Sequence, residues 1–300
     1  MRGFEITGAS GADMETIRAW ADEEGWNPGD SDRFAFAVAD PAGFLVGRLD
    51  GEPVGCISAV RYGPGFGFIG FYITRPEVRG RGYGIRLWRA AMERLDGRLV
   101  GLDGVVAQQD NYRKSGFRSA WNNVRHEGVP EGVATSPGAA TSPGAAGAEG
   151  GAGTTGAVEV VDAASLPFGQ LAAYDRRFFP APRDAFLSAW TGLPGRTALA
   201  AVRDGQLEGL GVIRPCSGAS RIGPLYASGP RIAAALLRGL AGHAPGGLVA
   251  VDVPDANPEA TALVAGLGLV PTFEAARMYT GPAPDLDLAG LYGVTSLELG

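Results

Sequence analysis

The sequence predicts an α/β (α+β) protein made of two tandem domains, each a mixed, mostly antiparallel sheet flanked by helices. Three observations carry this expectation. Residues 1–130 hold a strand–turn–strand pattern followed by strand, glycine loop, helix and strand. A run of Gly, Ala, Ser, Thr and Pro then interrupts the chain at 131–156, and the earlier order of elements returns in 157–300. A length of 300 residues suits two domains of ordinary size.

In chain order, a strand is expected at Phe4–Thr7, a helix near Ala12–Glu24 that Gly25 ends, and a short helix near Ser31–Ala39. Strands at Phe44–Arg48 and Pro53–Tyr62 flank Asp50-Gly51, the sign of a hairpin turn. Gly67–Thr74 (GFIGFYIT) is aromatic and β-branched enough for a strand. After a loop, Ile85, Leu87, Trp88, Ala91, Met92 and Leu95 recur at helical spacing. A strand at Arg98–Leu102, a short helix and a final strand from Phe117 complete the half. The 131–156 stretch includes a doubled TSPGAA and is too poor in apolar side chains to offset the entropy of ordering, so it reads as a flexible linker.

The second half repeats the first. Asp204-Gly205 echoes Asp50-Gly51, Ile222-Gly223 echoes Ile69-Gly70, and Gly268-Leu269 echoes Gly116-Phe117, in nearly constant register. Three ordered matches point to a tandem duplication. Helices are expected at Arg183–Thr191, Ile232–Gly242 and Pro258–Gly266, and strands at Ala198–Val202, Leu207–Pro215, Ser220–Tyr226 and Leu248–Val253. The copy lacks the glycine loop: Ala227-Ser228-Gly229-Pro230-Arg231 runs straight into its helix.

Composition narrows the function. There is no apolar run long enough to span a bilayer and no basic-then-apolar leader, which predicts a cytoplasmic protein without membrane association. Cys56 and Cys216 stand far apart without metal-ligand spacing, and His126 and His243 are the two histidines, so no metal site is expected. A net charge of −6 without a basic stripe argues against nucleic acid.

The loop Arg79-Gly80-Arg81-Gly82-Tyr83-Gly84 carries the chemistry. Its glycines allow a tight turn with inward-facing N–H groups, and the helix that follows adds its unpaired N–H groups and positive dipole end. Two guanidinium groups flank this anion cradle, which suits a pyrophosphate. A Walker loop is excluded because Lys114 is the one lysine in the chain. A dinucleotide fold is the nearer rival, with Asp103 near the end of the next strand, but the third glycine position is filled by Ile85 or Leu87.

Arg79, Gly82 and Gly84 match the Arg/Gln-x-x-Gly-x-Gly/Ala coenzyme A loop of the GNAT acyltransferases, and the chain resembles that superfamily. Asn111–Phe117 (NYRKSGF) is similar to its Tyr-x-x-x-Gly-Phe segment. The likeness extends to tandem GNAT proteins with one catalytic and one degenerate half. It implies acetyl-coenzyme A (acetyl-CoA) as donor and a small-molecule amine as acceptor; whether the chain pairs as a homodimer stays open at this point. It also implies that the backbone of Phe71, Tyr72 and Ile73 meets the thioester, that residues 79–84 hold the diphosphate, and that Tyr112 protonates the departing thiolate.

The family's usual strand glutamate is absent from Gly67–Thr74. Acceptor contacts are therefore expected from Glu24, Trp26, Asn27 and Asp30, a tryptophan among acids suited to a cationic amine. In the second half Val264 stands at the position of Tyr112 and cannot donate a proton, so that half is expected neither to bind the coenzyme nor to catalyse. A non-catalytic acyl-coenzyme A sensor is the alternative reading.

Overall fold

A computed structural model describes residues 3–133 and 156–300. Most of the 131–156 connector lies outside the described residues. Its first residue is held on the second half, where the Glu131 N–H donates to the Leu267 carbonyl and the Glu131 carbonyl accepts from Arg238.

The first half runs β1 (Phe4–Gly8), α1 (Gly11–Glu23), α2 (Asp32–Ala39), β2 (Phe44–Leu49), β3 (Glu52–Tyr62), β4 (Phe66–Thr74), α3 (Tyr83–Arg94), β5 (Leu99–Val105), α4 (Gln109–Lys114) and β6 (Arg118–Gly128). The α1 start is fixed by a reciprocal cap. Ser10 accepts from the Asp13 N–H, and the Asp13 carboxylate accepts from the Ser10 N–H. The second half repeats the order: β7 (Glu159–Asp162), α5 (Phe168–Asp175), α6 (Asp184–Gly192), β8 (Thr197–Arg203), β9 (Gln206–Arg214), β10 (Ser220–Ala227), α7 (Pro230–Ala241), β11 (Val249–Pro254), α8 (Pro258–Gly266) and β12 (Val270–Tyr279). A short strand, β13 (Leu291–Gly293), follows. The expected elements are all present, with ends shifted by one to three residues, and β7, α5, β12 and β13 add to them.

The two halves share one continuous sheet, ordered β1-β2-β3-β4-β5-β12-β6-β11-β10-β9-β8-β7, with β13 beside β10. The centre is reciprocal. β12, from the second half, pairs antiparallel with β5 of the first, while β6, from the first half, pairs antiparallel with β11 of the second. β6 and β12 also pair with each other. Neither half completes its sheet without a strand from the other.

Alternation along β3 shows how the layers form. Cys56, Val60 and Tyr62 enter the core shared with α1, α2, α5 and α6, whereas Ile57 and Ala59 face the core under α3. The first of these cores is continuous across both halves, and α2 packs on α6. The α7 and α8 helices cover the second half on the same side as α3 covers the first, over a separate core.

Buried ion pairs fasten this seam. Asp32 of α2 accepts from Arg196 at 2.7 Å and from Arg214 at 3.0 Å, both from the second half. Asp252 of β11 is bound by Arg125 of β6 and by Arg221 of β10. Arg183 forks onto Asp175 and also donates to the Gly300 carbonyl and the Thr295 hydroxyl, which pins the segment after β13 into the interior.

Candidate active site

β4 and β5 run parallel, but their pairing stops at Ile69 and Leu102 although both strands continue. Beyond that point they part, and one edge of β4 from Gly70 to Thr74 lacks a strand neighbour. On the other edge the register with β3 shifts between Cys56 and Ser58, so Phe71 and Tyr72 form a bulge. Phe71 sits at φ +47°, a conformation that costs a side-chain-bearing residue about 1–3 kcal/mol. The Cys56 thiol donates to the Phe71 carbonyl at 3.1 Å and holds the bulge in place. Burial pushes that thiol well above its ordinary pKa, so it acts as a hydrogen-bond donor and not as a nucleophile.

The glycine loop closes one end of the gap. Gly80 at φ +76° and Gly82 at φ +82° are in the left-handed region, and a Cβ at either would meet nothing within 4 Å. Space is therefore open where an anion would sit. Gly82 precedes the first turn of α3, and no side chain caps that turn. Its N–H groups face a ligand position unblocked by protein atoms, which fits a diphosphate. Gly84 serves differently: a Cβ there would stand 2.9 Å from the Tyr72 hydroxyl and 3.0 Å from the Thr74 hydroxyl, so glycine lets α3 lie close to β4. Arg79 donates to the Thr74 carbonyl and to Glu24, both at 2.8 Å. Arg81 is exposed, and Tyr83 stacks on Phe4.

Tyr112 of α4 lies over β5. Gly104 makes room for it, since a Cβ at 104 would be 2.2 Å from the ring. The ring also packs on Trp88 of α3 at 5.6 Å between centroids. Burial, with a smaller effect from Tyr72, pushes the phenol up to about 12. It is thus protonated at neutral pH and carries an O–H that can donate a hydrogen bond to a group in the cavity.

The β4 edge and Tyr112 line one cavity of about 820 Å³, which reaches the glycine loop at Arg79 and Ile85 on either side of it, while residues 80–84 themselves are not part of its lining. The first half lines it with Phe71, Tyr72, Ile73, Arg79, Trp88 and Tyr112, and the second half adds Phe273 and Ala275 of β12 with Leu297 and Glu298 of the final segment. Gly70, the counterpart of Gly223, lies where β4 and β5 part. A Cβ there would come within 2.0 Å of the Glu298 carbonyl, so glycine admits the backbone of the final segment against β4.

Among the expected acceptor residues, Glu24 and Trp26 line the cavity, and Glu24 is engaged by Arg79 at 2.8 Å. Asn27 and Asp30 are not brought to it. Asn27, at φ +51°, accepts from the Gly218 N–H and, through its carbonyl, from Arg221. Asp30 is exposed, and its backbone N–H bonds the Pro215 carbonyl. Both residues stitch the turn after α1 to the second half, a role set by the seam and not readable from their neighbours in sequence. Glu298, Leu297 and Phe273 were not anticipated, because the exchange of β12 and the path of the final segment leave no local pattern.

The second half has a matching gap, and it is filled. β10 and β11 pair in parallel only over Ser220–Ile222 with Val249–Val251. Beyond this, β13 lies antiparallel to β10 and occupies the parting. A Cβ at Gly223, the counterpart of Gly70, would be 2.4 Å from the Val294 carbonyl. The turn into α7 is only Ser228-Gly229, and Pro230, first in the helix, has no N–H to offer.

Residues 12–117 match the acetyltransferase (GNAT) family model, and residues 171–293 match an acetyltransferase (GNAT) domain model. Holothin acyltransferase of Pseudoalteromonas sp. (strain SANK 73390) is 28% identical over 293 residues, covering 97% of this chain and 93% of the relative. A putative acetyltransferase from Pyrococcus horikoshii shares the fold with a TM-score of 0.78 at 22% identity, over 100% of this chain and 97% of the other. A tandem GNAT protein from the clavulanic acid biosynthesis pathway has a TM-score of 0.60 at 17% identity, over 94% and 100%. With a GNAT match in each half, this chain belongs to the GNAT acyltransferase superfamily as a tandem member.

Proposed function

We propose that the protein transfers an acetyl group from acetyl-CoA to the amine of a small-molecule acceptor by direct attack, using the first half alone. The observation that carries this reading is one cavity lined by the bulged strand edge and Tyr112 and bordered, at Arg79 and Ile85, by an uncapped, glycine-framed helix start. Residues 79–84 would hold the diphosphate by backbone N–H groups, with Arg79 and Arg81 at its edge. The unpaired edge of Phe71, Tyr72 and Ile73 would meet the thioester, giving its oxygen an N–H donor as negative charge develops. Tyr112 would protonate the sulfur as the C–S bond breaks.

The second half would serve as a wall and not as a second site, because β13 occupies its gap. The relative's name makes holothin one acceptor to assay. Two free cysteines favour a reducing compartment, and we place the reaction in the cytoplasm.

The test is release of coenzyme A from acetyl-CoA and from longer acyl donors, with holothin and a panel of primary amines. Acceptor-dependent release is expected. Tight acetyl-CoA binding without turnover on any acceptor would favour the sensor reading. In the same assay Tyr112→Phe should lower kcat by about 100-fold, the size typical of a lost general acid, and leave acetyl-CoA affinity within twofold. Unchanged kcat would remove Tyr112 from the chemistry.

A further inference from the structure

Three acids line the cavity: Glu24, Asp103 and Glu298. Glu24 is taken up by Arg79 at its rim. Both oxygens of Asp103 accept from Arg277 at 2.7 Å, and one also accepts from Asn123. Glu298 differs. Its Oε1 accepts from Arg221 at 3.0 Å, while Oε2 is buried and has no hydrogen-bond partner among the described residues.

The residue is 4% exposed and its backbone is fixed on both sides. The Ser296 hydroxyl accepts from the N–H groups of Glu298 and Leu299, and the Glu298 carbonyl packs on Gly70 beside the bulge. An unpartnered carboxylate oxygen in the interior is costly, and one beside a cavity calls for a donor from water, an ion or a bound molecule.

Apolar side chains make up part of the lining. Trp26, Phe273 and Leu297 line the same cavity, and the two other acids are already compensated by arginine. Gln108, Asn111 and Ser115 line the cavity too, but Glu298 is the one acid there with a buried oxygen left without a donor among the described residues, which offers a single anionic contact to an amine whose body rests on Trp26, Phe273 and Leu297.

Resting on the acetyl-transfer reading above, we propose that Glu298, supplied by the degenerate half, is the base that binds the acceptor's attacking nitrogen and takes its proton, and that the acceptor is a single amine on an apolar body. The balance is complete. The nitrogen forms the new N–C bond and loses a proton to Glu298 Oε2. The C–S bond breaks, and the sulfur takes the phenolic proton of Tyr112. Glu298 then releases its proton to water and Tyr112 regains one from water. In place of the strand glutamate missing from β4, a glutamate of the final segment lines the cavity, with its backbone carbonyl against Gly70 of β4.

The test uses the full-length protein, acetyl-CoA and two probe amines, phenethylamine and spermidine. Wild type should use phenethylamine at least tenfold better than spermidine by kcat/KM, and the reverse order would overturn the assigned acceptor class. Glu298→Gln keeps the size of the side chain and an oxygen for Arg221. It should lower kcat with phenethylamine by about 100-fold or more, the range of a lost general base, while acetyl-CoA affinity stays within twofold by calorimetry. A wild-type kcat in this variant would overturn the proposal.

The binding titration shows that the variant is folded. If it fails to bind, Glu298→Asp is used, which should retain more turnover than Gln relative to folded protein; activity no lower than wild type in an unfolded-corrected Gln sample would again refute the base. Should wild type release no thiol with any amine, acetyl transfer fails as a function, and Glu298 is judged by binding. Phenethylamine should then bind the coenzyme A complex of wild type at least tenfold more tightly than that of Glu298→Gln, and equal affinity would overturn the assignment.

Discussion

Gly82→Asp is expected to abolish acetyl-CoA binding, weakening it by more than 100-fold in calorimetry without unfolding the protein. Two physical effects act together. Gly82 holds φ +82°, where any side chain is strained, and it directly precedes the uncapped first turn of α3. A carboxylate there would place negative charge at the point where the helix N–H groups and dipole favour an anionic ligand, and would itself compete for those donors. The fold should tolerate the change because a Cβ at 82 meets nothing within 4 Å. The local strain would cost about 1–3 kcal/mol, so the melting transition should remain cooperative. Binding within threefold of wild type would separate the loop from the coenzyme.

The second large effect concerns the seam. Asp32→Ala should lower the free energy of unfolding by about 3–5 kcal/mol, because it leaves two buried arginines without their carboxylate. Arg196 and Arg214 both come from the second half, and Asp32 also accepts from the Gly29 N–H at 2.9 Å. Burial alone would raise the Asp32 pKa, but Arg214 and Arg196, followed by the Gly29 N–H and Arg221, outweigh it and hold the carboxyl below the usual range.

A depressed folded-state value contributes stability that is fully present above the unfolded pKa of about 3.9 and is lost as pH falls through the folded value. Wild type should therefore lose stability more steeply than Asp32→Ala below about pH 4. Urea unfolding at pH 7 and at a series of acid pH values checks both points. A loss under 1 kcal/mol at pH 7, or parallel acid profiles, would show that Asp32 does not bind the halves together.

Local pattern made much of the fold legible. The Asp-Gly turns announced the β2–β3 and β8–β9 hairpins, because a two-residue turn with positive φ needs those residues; Asp50 and Asp204 take φ +54° and +49°. The helical spacing from Ile85 to Leu95 gave α3 because its buried stripe of Leu87, Trp88 and Ala91 must face the sheet. The cradle was readable because Gly80 and Gly82 meet a conformational demand that other residues satisfy poorly.

What escaped was set by partners distant in sequence. Nothing within Val270–Tyr279 distinguishes a strand that completes its own half from one that completes the other. Glu298 is one acid in an apolar run, and its burial depends on Arg221 and Gly70, far away along the chain. Asn27 and Asp30 stand beside Trp26 in sequence, yet the turn after α1 directs them to the seam while Trp26 faces the cavity.

The most direct measurement is a crystal structure of the protein soaked with acetyl-CoA. One molecule per chain is expected, with its diphosphate on the amides of Gly80–Gly84, its thioester at the Phe71–Ile73 edge and its sulfur near Tyr112. A molecule seated between β10 and β11, or density absent from the α3 cradle at saturating concentration, would contradict a single coenzyme site in the first half.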